Sequence, residues 1–160
     1  MKNIKTEIKW AAIFIGMALL WMWLERITGL HDVHIDRHAL YTNFFAIPAT
    51  IVVVFALLDK RRNDYNGIMS YKQSFISGAI ITLIITLFNP VSQYIISNFI
   101  TPDFFGNAIK YAVNAGEMTR PEAEEYFNLK SYIMQGFIGT PIMGLVTTAI
   151  VSIFVKRKTK

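Results

Sequence analysis

The chain has 160 residues, 53% of them hydrophobic and only 17% charged, with a net charge of +5 and no cysteine. That length suits one domain, 1–160, and the apolar excess takes it outside the range of ordinary water-soluble domains. Disulfide and thiol chemistry are excluded, and the basic residues hug helix ends, where anionic headgroups lie, so they argue topology rather than nucleic-acid binding.

The apolar residues come in blocks, with uncharged runs at 10–24, 39–58, 73–102 and 131–155. About 20 apolar residues cross a bilayer as a helix. The expected fold is therefore an all-α integral membrane protein with spans at about 8–28, 41–58, 75–98 and 132–155. The first span also resembles a signal peptide, with Lys2, Lys5 and Lys9 ahead of an apolar core. "LLWMWLERI" is bulky where a peptidase needs small residues, so the segment reads as a retained helix.

Charge orients the spans. Eleven of the 16 basic residues fall at the N-terminus (Lys2, Lys5, Lys9), in the second connection (Lys60, Arg61, Arg62, Lys72) or at the C-terminus (Lys156, Arg157, Lys158, Lys160). The other connections hold Arg26, Arg37, Lys110, Arg120 and Lys130, diluted by eight acids. Both ends are expected in the cytoplasm.

Within helix one, Trp10 lies near the inner end and Trp21 and Trp23 near the outer end, as interfacial rings would. The second span opens with "YTNFFAIP", where Pro48 predicts a kink and Thr42 and Asn43 offer compensating hydrogen bonds. It is expected to stop at "DKRRND", with Gly67 as the turn residue. Helix three carries Ser74, Gly78, Thr82 and Thr86 at intervals of four, then Asn89, Pro90, Ser92, Gln93 and Asn98. Helix four carries Gly136, Thr140 and Gly144 around Pro141. Such small-residue faces, with Gly78, Gly136 and Gly144 as contact points, let membrane helices approach closely.

Residues 102–130 predict an outer helical hairpin. Thr101 and Pro102 read as a helix start, Gly116 as a stop, and Phe104, Phe105, Ala108, Ile109, Ala112 and Val113 as one apolar stripe. That stripe suits a helix lying on the membrane or on the bundle. Thr119 and Glu122 have capping-box spacing, opening a second arm that runs into helix four.

"HALYTNFFAIPATI", "ALLDKRR", "GIMSYKQSFISGAIIT", "NPVSQYIISNFITPDFFGNAIKYAV" and "GEMTRPEAEEYFNLKSY" together resemble domain of unknown function 4199, a family of small bacterial membrane proteins. The likeness is collinear from Trp10 to about Val155. It implies a four-helix protein of the bacterial inner membrane and brings no catalytic residues.

Four groups are candidate sites. His31, His34 and His38, the only histidines, would share one face of a helix at spacings of three and four, with Asp32, Asp36 or Glu25 as further ligands. Against a metal, His31 and His38 would lie about 10 Å apart along a straight helix. A polar outer loop is the preferred reading, with pH sensing or metal binding as alternatives. Glu25 could bind a cation or proton, but Arg26 beside it favours an interfacial ion pair. Glu25, Asn43, Asn89 and Gln93 together could line an outward cavity, or the amides could simply repair proline breaks. The acidic arm "EMTRPEAEEYF" complements a helix N-terminus or docks a partner.

No G-x-S-x-G, phosphate loop or H-E-x-x-H motif occurs. No cofactor or metal is expected, and the partners are the lipid bilayer and a membrane protein or second copy. A non-enzymatic regulatory, scaffold or partner subunit is the favoured function. The alternative is a small solute or ion transporter or channel-like protein.

Overall fold

The computed structural model describes residues 4–157. Lys2, Lys158 and Lys160, used above for orientation, lie outside these residues. The described chain is all-helical: α1 (Lys5–Ile27), α2 (Ile35–Tyr41), a 3₁₀ turn (Thr42–Phe45), α3 (Ala46–Asp64), α4 (Tyr71–Ile95), a π turn (Ile96–Ile100), α5 (Phe104–Asn114), α6 (Arg120–Tyr126) and α7 (Leu129–Val155). Four helical stretches are long and apolar enough to cross a membrane: Lys5–Ile27, Ile35–Asp64, Tyr71–Ile100 and Leu129–Val155. Their surfaces carry large apolar side chains, with Leu87 63%, Met143 62% and Phe154 80% exposed. Water would penalise such surfaces, whereas lipid does not.

The second span departs most from expectation. Its helical stretch begins at Ile35 rather than near residue 41 and continues through "DKRRND" to Asp64. Lys60 is buried there against Glu7 and Asp64, so the basic segment stays helical instead of turning in solvent. The turn comes at Asn66 and Gly67, both at positive φ. Pro48 falls in the first turn of α3, where amides lack intrahelical acceptors anyway. The irregularity is the tighter 3₁₀ turn just before it. Asn43, in that turn, donates back to the Ala39 carbonyl of α2 at 2.6 Å.

Packing groups the described residues into two compact units: 4–16 with Ala46–Leu87 and 137–157, and Met17–Phe45 with Phe88–Gly136. In the first, Leu57, Met69, Val151 and Val155 form one apolar cluster and Ala11, Ala56 and Ile81 another. Its α4 and α7 segments meet through small residues. A methyl group on Gly78 would lie 2.3 Å from Thr148 Cγ2, and one on Gly144 2.5 Å from Thr82 Cγ2.

In the second unit Gly136 plays the same part, its missing methyl only 2.3 Å from Asn89 Oδ1. The hairpin forms here. Phe104, Ala108 and Ala112 of α5 are buried, with Phe104 edge-on to Tyr132 at 6.0 Å. The apolar stripe thus covers protein. Asp103, not Thr101, precedes the first turn of α5, because Thr101 closes the π turn through its N–H to Ile96 O at 2.7 Å. Gly116 (φ +71°) lies just beyond the end of α5, and the Glu122 carboxylate accepts from the Thr119 backbone at 2.8 Å and its hydroxyl at 2.6 Å. A break at Phe127–Asn128 separates α6 from α7, and Asn128 Oδ1 caps α7 at Ser131 N, 2.9 Å away.

Candidate functional site

The last turn of α1 sets up the site. Gly29, at φ +79°, ends the helix: its N–H bonds Arg26 O at 3.0 Å and the Leu30 N–H bonds Glu25 O at 3.0 Å. This double closure reverses the chain, and only glycine adopts that φ cheaply. The His34 N–H then returns to Gly29 O at 2.8 Å, and α2 starts one residue later. His31 therefore sits in the loop and His38 one turn into α2, not on one straight helix.

Both imidazoles reach Glu25. His31 Nε2 lies 3.1 Å and His38 Nε2 3.5 Å from the same oxygen, Glu25 Oε2. Trp21 donates its indole N–H to the other oxygen at 2.5 Å. The His31 and His38 rings stand 5.2 Å apart, each 5.0 Å from the Phe104 ring. Asn107 of α5 fixes the loop by donating to His31 O at 3.0 Å. Glu25 is 2% and His31 4% exposed, while the His38 side chain is 20% exposed. One ligand-type atom from each of Glu25, His31 and His38 falls within 4.8 Å of the others. A buried carboxylate is costly without such partners.

The separation used against a metal does not apply, because the Gly29 reversal removes the straight helix. The remaining polar residues of the loop stand apart. His34 is exposed, Asp32 bonds the Val33 N–H, and Asp36 lies 3.7 Å from Arg37 at the surface. Nor does Glu25 pair with Arg26, whose guanidinium bonds Ile100 O at 2.5 Å. Trp21, expected as an interfacial ring, instead orients the carboxylate, while Trp23 is exposed.

The four cavity residues are engaged separately. Asn89 is buried and donates to Ile133 O at 2.9 Å, Asn43 is exposed, and half-buried Gln93 accepts the Ser97 hydroxyl at its backbone carbonyl. On the acidic arm, the Thr119 hydroxyl, then its backbone N–H, hold the Glu122 carboxyl below the usual carboxylate range.

A second buried polar group was not anticipated. Glu7 (2% exposed) accepts from Lys60 Nζ at 2.9 Å and from the Ser77 hydroxyl at 2.8 Å. Lys60 also lies 3.2 Å from Asp64, which accepts from the Thr6 hydroxyl at 2.8 Å. Nearby, Asp59 accepts from Lys9, from Asn63 and, at 2.7 Å, from the Trp10 indole. In sequence, Lys60 counts only among the basic residues of the second connection. The only signal was a lone acid among the first lysines.

No curated protein and no solved structure matches this chain. A family model described as "Protein of unknown function (DUF4199)" matches residues 9–157. That match covers nearly the whole sequence and agrees with the segments from "HALYTNFFAIPATI" to "GEMTRPEAEEYFNLKSY" that carried the resemblance; the chain belongs to the DUF4199 family.

Proposed function

We propose that this multi-pass chain resides in a bacterial cytoplasmic membrane with both ends inside, as a non-enzymatic regulatory, scaffold or partner subunit. The observation that carries this reading is the closed seam between α4 and α7. Gly78 meets Thr148 and Gly144 meets Thr82 in one unit, and Gly136 meets Asn89 in the other. A solute path along Asn89 and Gln93 needs space where the Asn89 amide sits against Gly136. The exposed aliphatic surfaces of the same helices suit lipid or another membrane protein. Orientation rests on the eleven basic residues gathered at the two ends and in the second connection. The transporter alternative draws on one observation, the buried acid Glu25.

Purification in mild detergent, with mass spectrometry of what accompanies the chain, tests the role. A stoichiometric membrane partner or a defined homo-oligomer is expected. A bare monomer whose stability rises with a transported solute, and falls back on Asn89→Ala, would favour the carrier. Orientation is open to cysteine labelling because the chain has no cysteine of its own. In intact cells an impermeant maleimide should modify Lys110→Cys and spare Lys72→Cys.

A further inference from the structure

We propose that Glu25, His31 and His38 form a binding site for one divalent transition-metal ion, with zinc as the best fit. The inference concerns these three side chains and holds whichever side of the membrane they face.

The distances suit a metal ion. A tetrahedral zinc with bonds of about 2.0–2.1 Å sets neighbouring ligand atoms about 3.3–3.4 Å apart. The two nitrogen–oxygen separations, 3.1 and 3.5 Å, bracket that edge. As a hydrogen bond the second fails. His38 Nε2 is buried without a hydrogen-bond partner, 3.5 Å from Glu25 Oε2. An ion between the three groups would use both imidazole lone pairs and the carboxylate oxygen together. The third edge, within 4.8 Å, closes by rotation of His38, the least buried of the three.

The surroundings are those of a built site. The Trp21 indole holds one oxygen of Glu25 and leaves the other for the imidazoles, and Asn107 fixes the loop that carries His31. Partners of this kind orient ligands and strengthen metal binding. The Phe104 ring walls the imidazoles and lowers the local dielectric. The His38 side chain is 20% exposed, so the site lies close to the surface. Two imidazoles and one carboxylate suit zinc, nickel or copper, whereas calcium and magnesium require mainly oxygen donors. His31 Nδ1 is buried without an acceptor, where a ligating histidine usually donates to one.

The test uses the full chain, purified in mild detergent with a histidine-free tag, stripped by a chelator and titrated with zinc. Cobalt serves as the spectroscopic probe. One zinc per chain is expected, with cobalt absorption bands of a four-coordinate nitrogen–oxygen site. His38→Ala should weaken zinc binding by more than about 100-fold, and Trp21→Phe, which removes only an orienting bond, by about 10–100-fold. His34→Ala should change nothing. Because His31→Ala risks unfolding by stranding Glu25, the wild-type stoichiometry and cobalt spectrum stand as the independent measurement. Uptake below one ion per chain, indifference to His38→Ala, or equal loss on His34→Ala overturns the proposal.

Discussion

Helix α1 buries two carboxylates, Glu7 near its start and Glu25 near its end, each 2% exposed. Their partners differ in kind. Glu7 faces the Lys60 ammonium and the Ser77 hydroxyl, groups that bring full charge or a simple donor. Glu25 faces two imidazoles, which can be neutral and then offer lone pairs. The first arrangement leaves nothing to exchange and clamps α1, α3 and α4 segments together. The second keeps donor atoms that another ligand can take over. Burial alone does not separate a clamp from a site; the chemistry of the partner does.

The largest effect expected from breaking this contrast is at the clamp. Lys60→Met strands a buried Glu7 charge and should cost about 3–5 kcal/mol, read from reversible unfolding in mixed micelles, as for other broken buried pairs. Much of that loss should return in the double variant Glu7→Gln with Lys60→Met. Glu25→Gln, which leaves no stranded cation, should cost only about 1–2 kcal/mol. Equal losses from Lys60→Met and Glu25→Gln would erase the distinction between clamp and site.

Packing offers a second comparison. Gly78→Ala forces a methyl group into Thr148 and should cost about 1–3 kcal/mol by the same unfolding measurement. Gly139→Ala, also in α7 but with nothing within 4 Å of the added methyl, should be near neutral. A matching loss at both positions would show that helix distortion, not the close approach, sets the cost.

The smallest effect belongs to the α5–α6 hairpin. The Glu122 carboxyl is held below its ordinary value of 4.5 by Thr119, so folding favours its ionised form. The resulting stability of α6 is complete above the ordinary value and fades as pH falls through the lowered one. Hydrogen exchange of α6 amides, corrected for intrinsic rates, should therefore quicken at low pH in the native chain. Glu122→Gln should remove that dependence.

Much of the fold is legible in the sequence because lipid imposes simple rules. Four apolar runs give four spans, and Thr119 with Glu122 gives the cap by spacing alone. Gly78, Gly136 and Gly144 mark the faces where helices touch, since nothing bulky fits there. The ends of the second span are less legible. Its continuation through "DKRRND" depends on Glu7, 53 residues away from Lys60, which no local pattern links to it.

The histidine cluster shows the same division. Residue type and spacing already named Glu25, His31 and His38 as chemistry-bearing groups. A three-and-four spacing, however, places side chains only if the helix persists, and Gly29 ends it. Once the chain reverses, contacts set by α5, through Phe104 and Asn107, decide which imidazoles face the carboxylate and leave His34 in solvent. The sequence by itself determined the number of spans and their apolar character, because burial in lipid depends on composition over about 20 residues. Only the tertiary structure decided which polar groups meet, because pairing depends on distances of a few ångströms between segments far apart in the chain.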